Sequence, residues 1–335
     1  MAGYRKKKLQ KARKTKKILN YHKANYDYKF KNKVALITGA SKGLGYQIAK
    51  SYLKYGSNLM ICSSNPNNIK KSYMKLNKIK KKNQKIFYLV ADVSSPKQVK
   101  KLVNYTIKKF KKIDILVNNA GIYGPKGHIE KINWNEWVKT IKVNLFGSIL
   151  LCREVMPYFK KINKGKIIQL SGSAARPQAL ISGYAVSKTG IVRFIENLSE
   201  EVKKYNIDIN AVSPGALNTN MLKEVLKEGP KKVGMRYYKK ALKQKKMGGS
   251  SFKTACDLIL FLGSKYSDGI KGKLISALWD DWKNWPNYKN ILQNSDVYTL
   301  RRLTSKDRGF SWGQSPTKSI YDRSLAHYDP YSLRR

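Results

Sequence analysis

The chain has 335 residues, 41% of them hydrophobic, with three cysteines and a formal net charge of +49. That length and apolar content exclude a small stapled domain and allow one large α/β domain or two smaller ones. No C-x-x-C pair occurs, so neither a cysteine metal site nor a disulfide framework is expected.

Cys62, Cys152 and Cys256 lie far apart, which fits a reducing, cytoplasmic setting. No apolar run nears the ~20 residues that span a bilayer, and the first residues lack the apolar core of a secretory signal. The positive charge invites a nucleic-acid or membrane-surface reading. Residues 1–33 hold 13 Lys or Arg against one acid, Asp27, but the excess continues throughout the chain. It therefore reads as a lysine-rich solvated surface with an added basic arm. Residues 1–32 are expected to be a mobile tail, with nucleic acid or anionic lipid as its conceivable partner.

From Lys33 a regular alternation begins. "KVALIT" predicts a buried strand, followed by a Gly-rich turn and a helix to Tyr55. "SNLMICS" predicts the second strand, and a Lys-rich helix follows Pro66. "KIFYLVADV" is the third strand, and Ser95 and Pro96 open the next helix. "IDILVNNAG" is the fourth strand. Residues 134–160 read as one long helix, "GKIIQLSGS" as a fifth strand and 181–205 as another long helix. "IDINAVSPG" and "GKLIS" supply strands six and seven. Short apolar strands alternating with helices predict an α/β fold with a doubly wound, parallel sheet. Residues 33–277 read as one domain, with 278–335 as a C-terminal extension.

The turn "TGASKGLG" spaces Gly39, Gly43 and Gly45 between a strand and a helix. Glycine there lets the backbone approach a pyrophosphate, and the helix start offers unpaired N–H groups. "GYAVSKTG" puts Tyr184 and Lys188 four residues apart on a predicted helix, hence on one face. A free tyrosine, with a pKa of roughly 10, is a poor base near neutral pH. A neighbouring ammonium is expected to lower that value.

"TGASKGLG", "NNAG" at 118–121, "YAVSK" at 184–188 and "SPG" at 213–215 together resemble the classical short-chain dehydrogenases/reductases over about residues 33–277. The resemblance implies a seven-stranded Rossmann sheet and NAD(P)-dependent hydride transfer between nicotinamide and a carbonyl or secondary alcohol. It implies Tyr184 as proton donor and acceptor, Lys188 as its partner, and Asn144 as holder of a proton-relay water. It also implies a substrate-binding serine at the end of strand five. Ser171, 13 residues before Tyr184, has the commoner spacing, with Ser173 the alternative.

For the cofactor, the resemblance points to Thr38, Gly39, Ser41, Lys42, Gly43, Leu44 and Gly45 in the first turn. Ser63, Ser64, Asp92 and Val93 follow strands two and three. Asn118, Ala120 and Gly121 match the fourth-strand element, and Pro214, Gly215 and Thr219 match nicotinamide contacts. Tyr184 and Lys188 also face the cofactor. Strand two ends without an acid, and Lys42 precedes Gly43, so NADP(H) is favoured while NAD(H) stays open.

Residues 216–250 are expected to form a lid. Their lysines, with Arg236, Tyr237 and Tyr238, would suit an anionic or carbohydrate-type substrate. Trp279, Trp282 and Trp285 recur at helical spacing and read as packing. The ending resembles a family subgroup with a "SDVYTLRR" extension. A homo-oligomer paired through the two long helices is implied by the resemblance alone. Two other classes stay open: a nucleic-acid or membrane-surface protein using the fold as a platform, and a non-catalytic cofactor-binding regulator.

Overall fold

The computed structural model describes residues 26–172 and 177–310. Seven strands form one parallel sheet in the order β3-β2-β1-β4-β5-β6-β7. They are β1 Val34–Thr38, β2 Asn58–Ser63, β3 Ile86–Val90, β4 Ile115–Asn118, β5 Gly165–Leu170, β6 Ile207–Ser213 and β7 Leu274–Ser276. Side chains alternate between two apolar layers, as a strand's two-residue period requires. Ala35 and Ile37 of β1 join a cluster with Ile48, Tyr52 and Phe261. Leu36 faces the other way, toward Leu102, Val155 and Phe159.

The helices cover both faces. They are α1 Gly43–Lys54, α2 Pro66–Ile79, α3 Pro96–Phe110, α4 Trp134–Ile141, α5 Gly147–Lys161, α6 Ser182–Glu201, α7 Asn220–Val233, α8 Met235–Met247, α9 Phe252–Gly263 and α10 Lys289–Gln293. Asn65 caps α2 by accepting from the Asn68 amide at 2.9 Å. The chain order reverses between β1 and β4, which opens a crevice beyond their carboxyl ends.

The long helix predicted over 134–160 is interrupted. Lys142–Phe146 forms a single π-helical turn between α4 and α5. Just after it, a Cβ on Gly147 would lie 2.7 Å from the Val93 side chain, so the helix passes the segment after β3 in close contact. Such a turn commonly sits at a functional site, and this one carries Asn144.

Residues 26–32, read from the sequence as part of the basic tail, pack against the domain. Phe30 is 1% exposed, and its ring meets Tyr52 at 4.9 Å. Residues 1–25 lie outside the described residues, as does any partner surface they carry. The three cysteines are buried and free, and burial pushes the thiols of Cys62 and Cys152 up to about 12. Among the described residues, no helix is long and apolar enough to cross a membrane.

The C-terminal extension docks on the same body. Trp282 and Trp285 are buried, as read from the sequence, but Trp279 is 86% exposed and lines the crevice. The "SDVYTLRR" segment runs beside β7 and α6. The Tyr298 carbonyl accepts from the Leu274 amide at 2.8 Å, and the Leu300 amide donates to Glu196 at 2.6 Å.

Candidate active site

A single cleft of about 2280 Å³ occupies the crevice, more than the ~300–1,000 Å³ of an ordinary ligand pocket. One end is the glycine turn. Gly39 and Gly43 have φ of +63° and +57°, which side-chain-bearing residues avoid. A Cβ on Gly45 would sit 2.3 Å from the Gly39 carbonyl oxygen, so helix α1 packs directly on the turn. No side chain caps the start of α1, and its first turn holds no acid. Its amide groups are left for a ligand, and their partial positive charge suits a pyrophosphate. Thr219 closes over this end, its methyl 3.8 Å from a Cβ built on Gly43.

The predicted cofactor residues divide into two groups. Ser41, Lys42, Leu44, Ser63, Ser64, Asp92, Val93, Ala120, Gly121, Pro214, Gly215 and Thr219 line the cleft with the three turn glycines. Thr38 and Asn118 are buried beneath it. Thr38 Oγ1 accepts from the Asn119 and Ala120 amides, both at 3.0 Å, and ties β1 to β4. Asn118 Nδ2 donates to the Ser148 carbonyl. Asn119, quoted in "NNAG" but not singled out, lines the cleft and donates to the Thr38 and Gly39 carbonyls. Its place in that motif was the available signal.

At the other end stand Tyr184 and Lys188, one turn apart on α6, with the Lys188 ammonium 5.8 Å from the Tyr184 ring centre. Lys188 Nζ donates to the Leu170 carbonyl at 2.9 Å. Burial pushes Lys188 down to about 8. Burial, then Tyr237 nearby, pushes Tyr184 up to about 12. The expected lowering of the tyrosine is therefore not what this state displays. Two desolvated groups each favour their neutral form, and the lysine is turned toward a carbonyl.

Asn144 is fully buried on the π turn. Its Oδ1 accepts from the Ile122 amide at 2.8 Å, and its Nδ2 donates to the Ile122 carbonyl and to Ser187 Oγ. The side chain is committed to clamping the strand β4 exit against α6.

Ser171 is buried, and its hydroxyl donates to the Lys188 carbonyl at 3.2 Å. The residue opposite the Tyr184 hydroxyl is Gly172. A Cβ there would lie 2.7 Å from that oxygen. The sequence offered no reason to single out Gly172, because the close approach is made across 12 residues of chain. Ser173 lies outside the described residues.

The sequence model described as short chain dehydrogenase matches residues 33–229. The chain belongs to the short-chain dehydrogenase family. It is 35% identical over 204 residues to Dehydrogenase/reductase SDR family member 4 of Caenorhabditis elegans, covering 60% of this chain and 76% of that one. It is 32% identical over 193 residues to a 3-oxoacyl-[acyl-carrier-protein] reductase of Chlamydia muridarum, covering 57% and 77%. Among solved structures, levodione reductase superposes with a TM-score of 0.68 at 25% identity, covering 74% of this chain and 96% of the other. NAD+-bound xylitol dehydrogenase shares the fold at 23% identity and the same TM-score, covering 74% and 98%. A short-chain dehydrogenase of this kind is an NAD(P)-dependent oxidoreductase acting on an alcohol or carbonyl of a small molecule.

Proposed function

We propose that this short-chain dehydrogenase prefers NADP(H) and works chiefly as a carbonyl reductase, with Tyr184 as proton donor. The observation that carries the reading is the meeting of Tyr184, Lys188 and an uncapped helix start in one cleft. The glycine turn would hold the pyrophosphate, and Asp92, Val93, Ala120, Gly121, Pro214 and Gly215 would flank the rest of the dinucleotide. Bound there, the nicotinamide supplies a hydride to the carbonyl carbon or takes one from an alcohol.

The chain's own residues handle the oxygen. In reduction the phenol O–H of Tyr184 breaks, and its proton forms the alcohol O–H. A phenol held up at about 12 stays protonated at neutral pH, which suits donation better than abstraction. Lys188 stabilises the phenolate left behind and returns a proton to it. Asn144 acts by position, through Ile122 and Ser187. Ser171 lines the cleft and would offer its hydroxyl to the substrate oxygen by turning from the Lys188 carbonyl, with Ser173 as the alternative.

Three features support the finer choices. Lys42, Ser63 and Ser64 line the cleft and would hold a 2′-phosphate, and among the described residues the acids lining the cleft are Asp92 and Asp280. Lys223, Arg236 and Lys240 line the lid side and suit an anionic substrate. The chlamydial relative is a 3-oxoacyl reductase, which makes a 3-oxoacyl compound the first carbonyl to try. The long helices α4–α5 and α6 are the faces on which a homo-oligomer would form.

The test is a fluorescence titration with NADPH and NADH, on wild type and Gly43→Asp. Tight NADPH binding, weaker NADH binding and loss of both in the variant are expected. Folded wild type that binds neither nucleotide would sink the proposal.

A further inference from the structure

Three tyrosines from distant parts of the chain meet over the site. Tyr123, just beyond β4, stacks face to face on Tyr184, with ring centres 4.7 Å apart and planes within 6°. Its hydroxyl is hydrogen-bonded to that of Tyr237 on helix α8 of the lid. Tyr123 is 7% exposed. Around it the lid residues Val225, Val233 and Ala241 close a small apolar cluster with Ile181, and Tyr184 packs against this cluster. On its other side Tyr184 is limited by Gly172, where even a Cβ would lie 2.7 Å from its hydroxyl.

We infer that Tyr123 is a positioning residue that transmits closure of the Asn220–Met247 lid to the ring of Tyr184. The inference rests on the reading of Tyr184 as proton donor and adds to it a dependence on the lid. An aromatic ring turns about its Cα–Cβ and Cβ–Cγ bonds, and a parallel stack on one face blocks that motion. Tyr123 can block it only while it is itself held. Besides that cluster and the Lys126 ammonium 5.0 Å from its ring centre, it is held by the hydroxyl of Tyr237, 114 residues away on an element that packs over the cleft.

Mere packing does not account for the pair. A phenylalanine at either position would fill the same volume without burying a hydroxyl, which costs free energy unless it is paired. If the lid lifts, Tyr237 leaves with it, the Tyr123 hydroxyl loses its partner, and the stack on Tyr184 loosens. A substrate that draws the lid down would thus organise the group that protonates it.

The test uses two readouts on the full-length chain that need no turnover. One is limited trypsin digestion, with cut sites mapped by mass spectrometry, because the lid is rich in lysine. The other is the fluorine NMR signal of 3-fluorotyrosine placed at position 184. Tyr123→Phe and Tyr237→Phe should each speed cutting within residues 220–247 roughly fivefold, the order expected for loss of one buried hydrogen bond. Each should also shift or broaden the fluorine signal. The double variant should do no more than either single one, since both remove the same bond. Tyr123→Leu, which removes the stack, should move the signal further. Unchanged cutting and signal in both phenylalanine variants, or effects that add, would overturn the inference. Failure of the Tyr184 reading is separately visible: Tyr184→Phe would then keep NADPH-dependent reduction of ethyl acetoacetate, or of another carbonyl that wild type turns over.

Discussion

Lys188 is where burial and function oppose each other most directly. Unfolded, this lysine holds its proton up to pH 10.5, whereas in the fold burial lets it go near 8. Between those values the unfolded chain binds more protons, so stability rises with pH across that window. Below pH 8 the whole cost of burying the charge stands. Lys188→Met should therefore raise the melting temperature at pH 7, while abolishing turnover. The gain should be about 2 kcal/mol, or roughly 5 °C, after loss of the bond to the Leu170 carbonyl. It should shrink as pH climbs from 8 to 10.5, which thermal melts at several pH values would check. The two serines separate in the same manner. Ser171→Ala removes a buried hydrogen bond and should cost about 1 kcal/mol of stability, with only a modest loss of rate if Ser173 holds the substrate oxygen. Ser173→Ala should lower kcat by roughly 10²-fold if its hydroxyl holds the substrate oxygen. Equal kinetics in the two variants would remove that distinction.

At the scale of elements, the Gly-rich turn, the strands and the Tyr-x-x-x-Lys helix follow from local pattern, because periodicity and glycine placement are local properties. The π turn at Lys142–Phe146 does not. It exists where α5 must pass the segment after β3 at Gly147 and where Asn144 must reach Ile122, and both demands come from other elements. The segment 26–32 makes the same point in reverse. Its lysines make it look like a free arm, yet Tyr28 and Phe30 alternate with them and enter the core. Phe30→Ala should destabilise the protein by about 3–5 kcal/mol, as for a ring lost from a closed core. A denaturant midpoint near that of wild type would show instead that the arm contributes little.

For the whole molecule, charge and closure set the working conditions. A net charge of +49, with Lys42, Lys223, Arg236 and Lys240 on the cleft, should draw anionic cofactors inward. Stopped-flow association of NADPH should slow roughly tenfold from 0.01 to 0.15 M salt, as the screening length falls from about 30 to 8 Å. A salt-independent rate would mean that the lysines lie too far out to steer. The extension completes the closure. Leu278 packs on Gly215, Trp279 stands at the cleft wall, and the Tyr298 segment covers β7.

The sequence by itself determined the parallel sheet, the glycine turn, and the pairing of Tyr184 with Lys188 on one helical face. Each depends on residues within a few positions of one another. Only the tertiary structure decided that Gly172 lies against the Tyr184 hydroxyl, what the Asn144 amide is bound to, and how far burial moves the tyrosine and lysine. The same holds for the stack of Tyr123 beneath Tyr237 and the exposure of Trp279 beside two buried tryptophans. Those are matters of desolvation and close approach between segments far apart in the chain, and spacing along a sequence carries no measure of either.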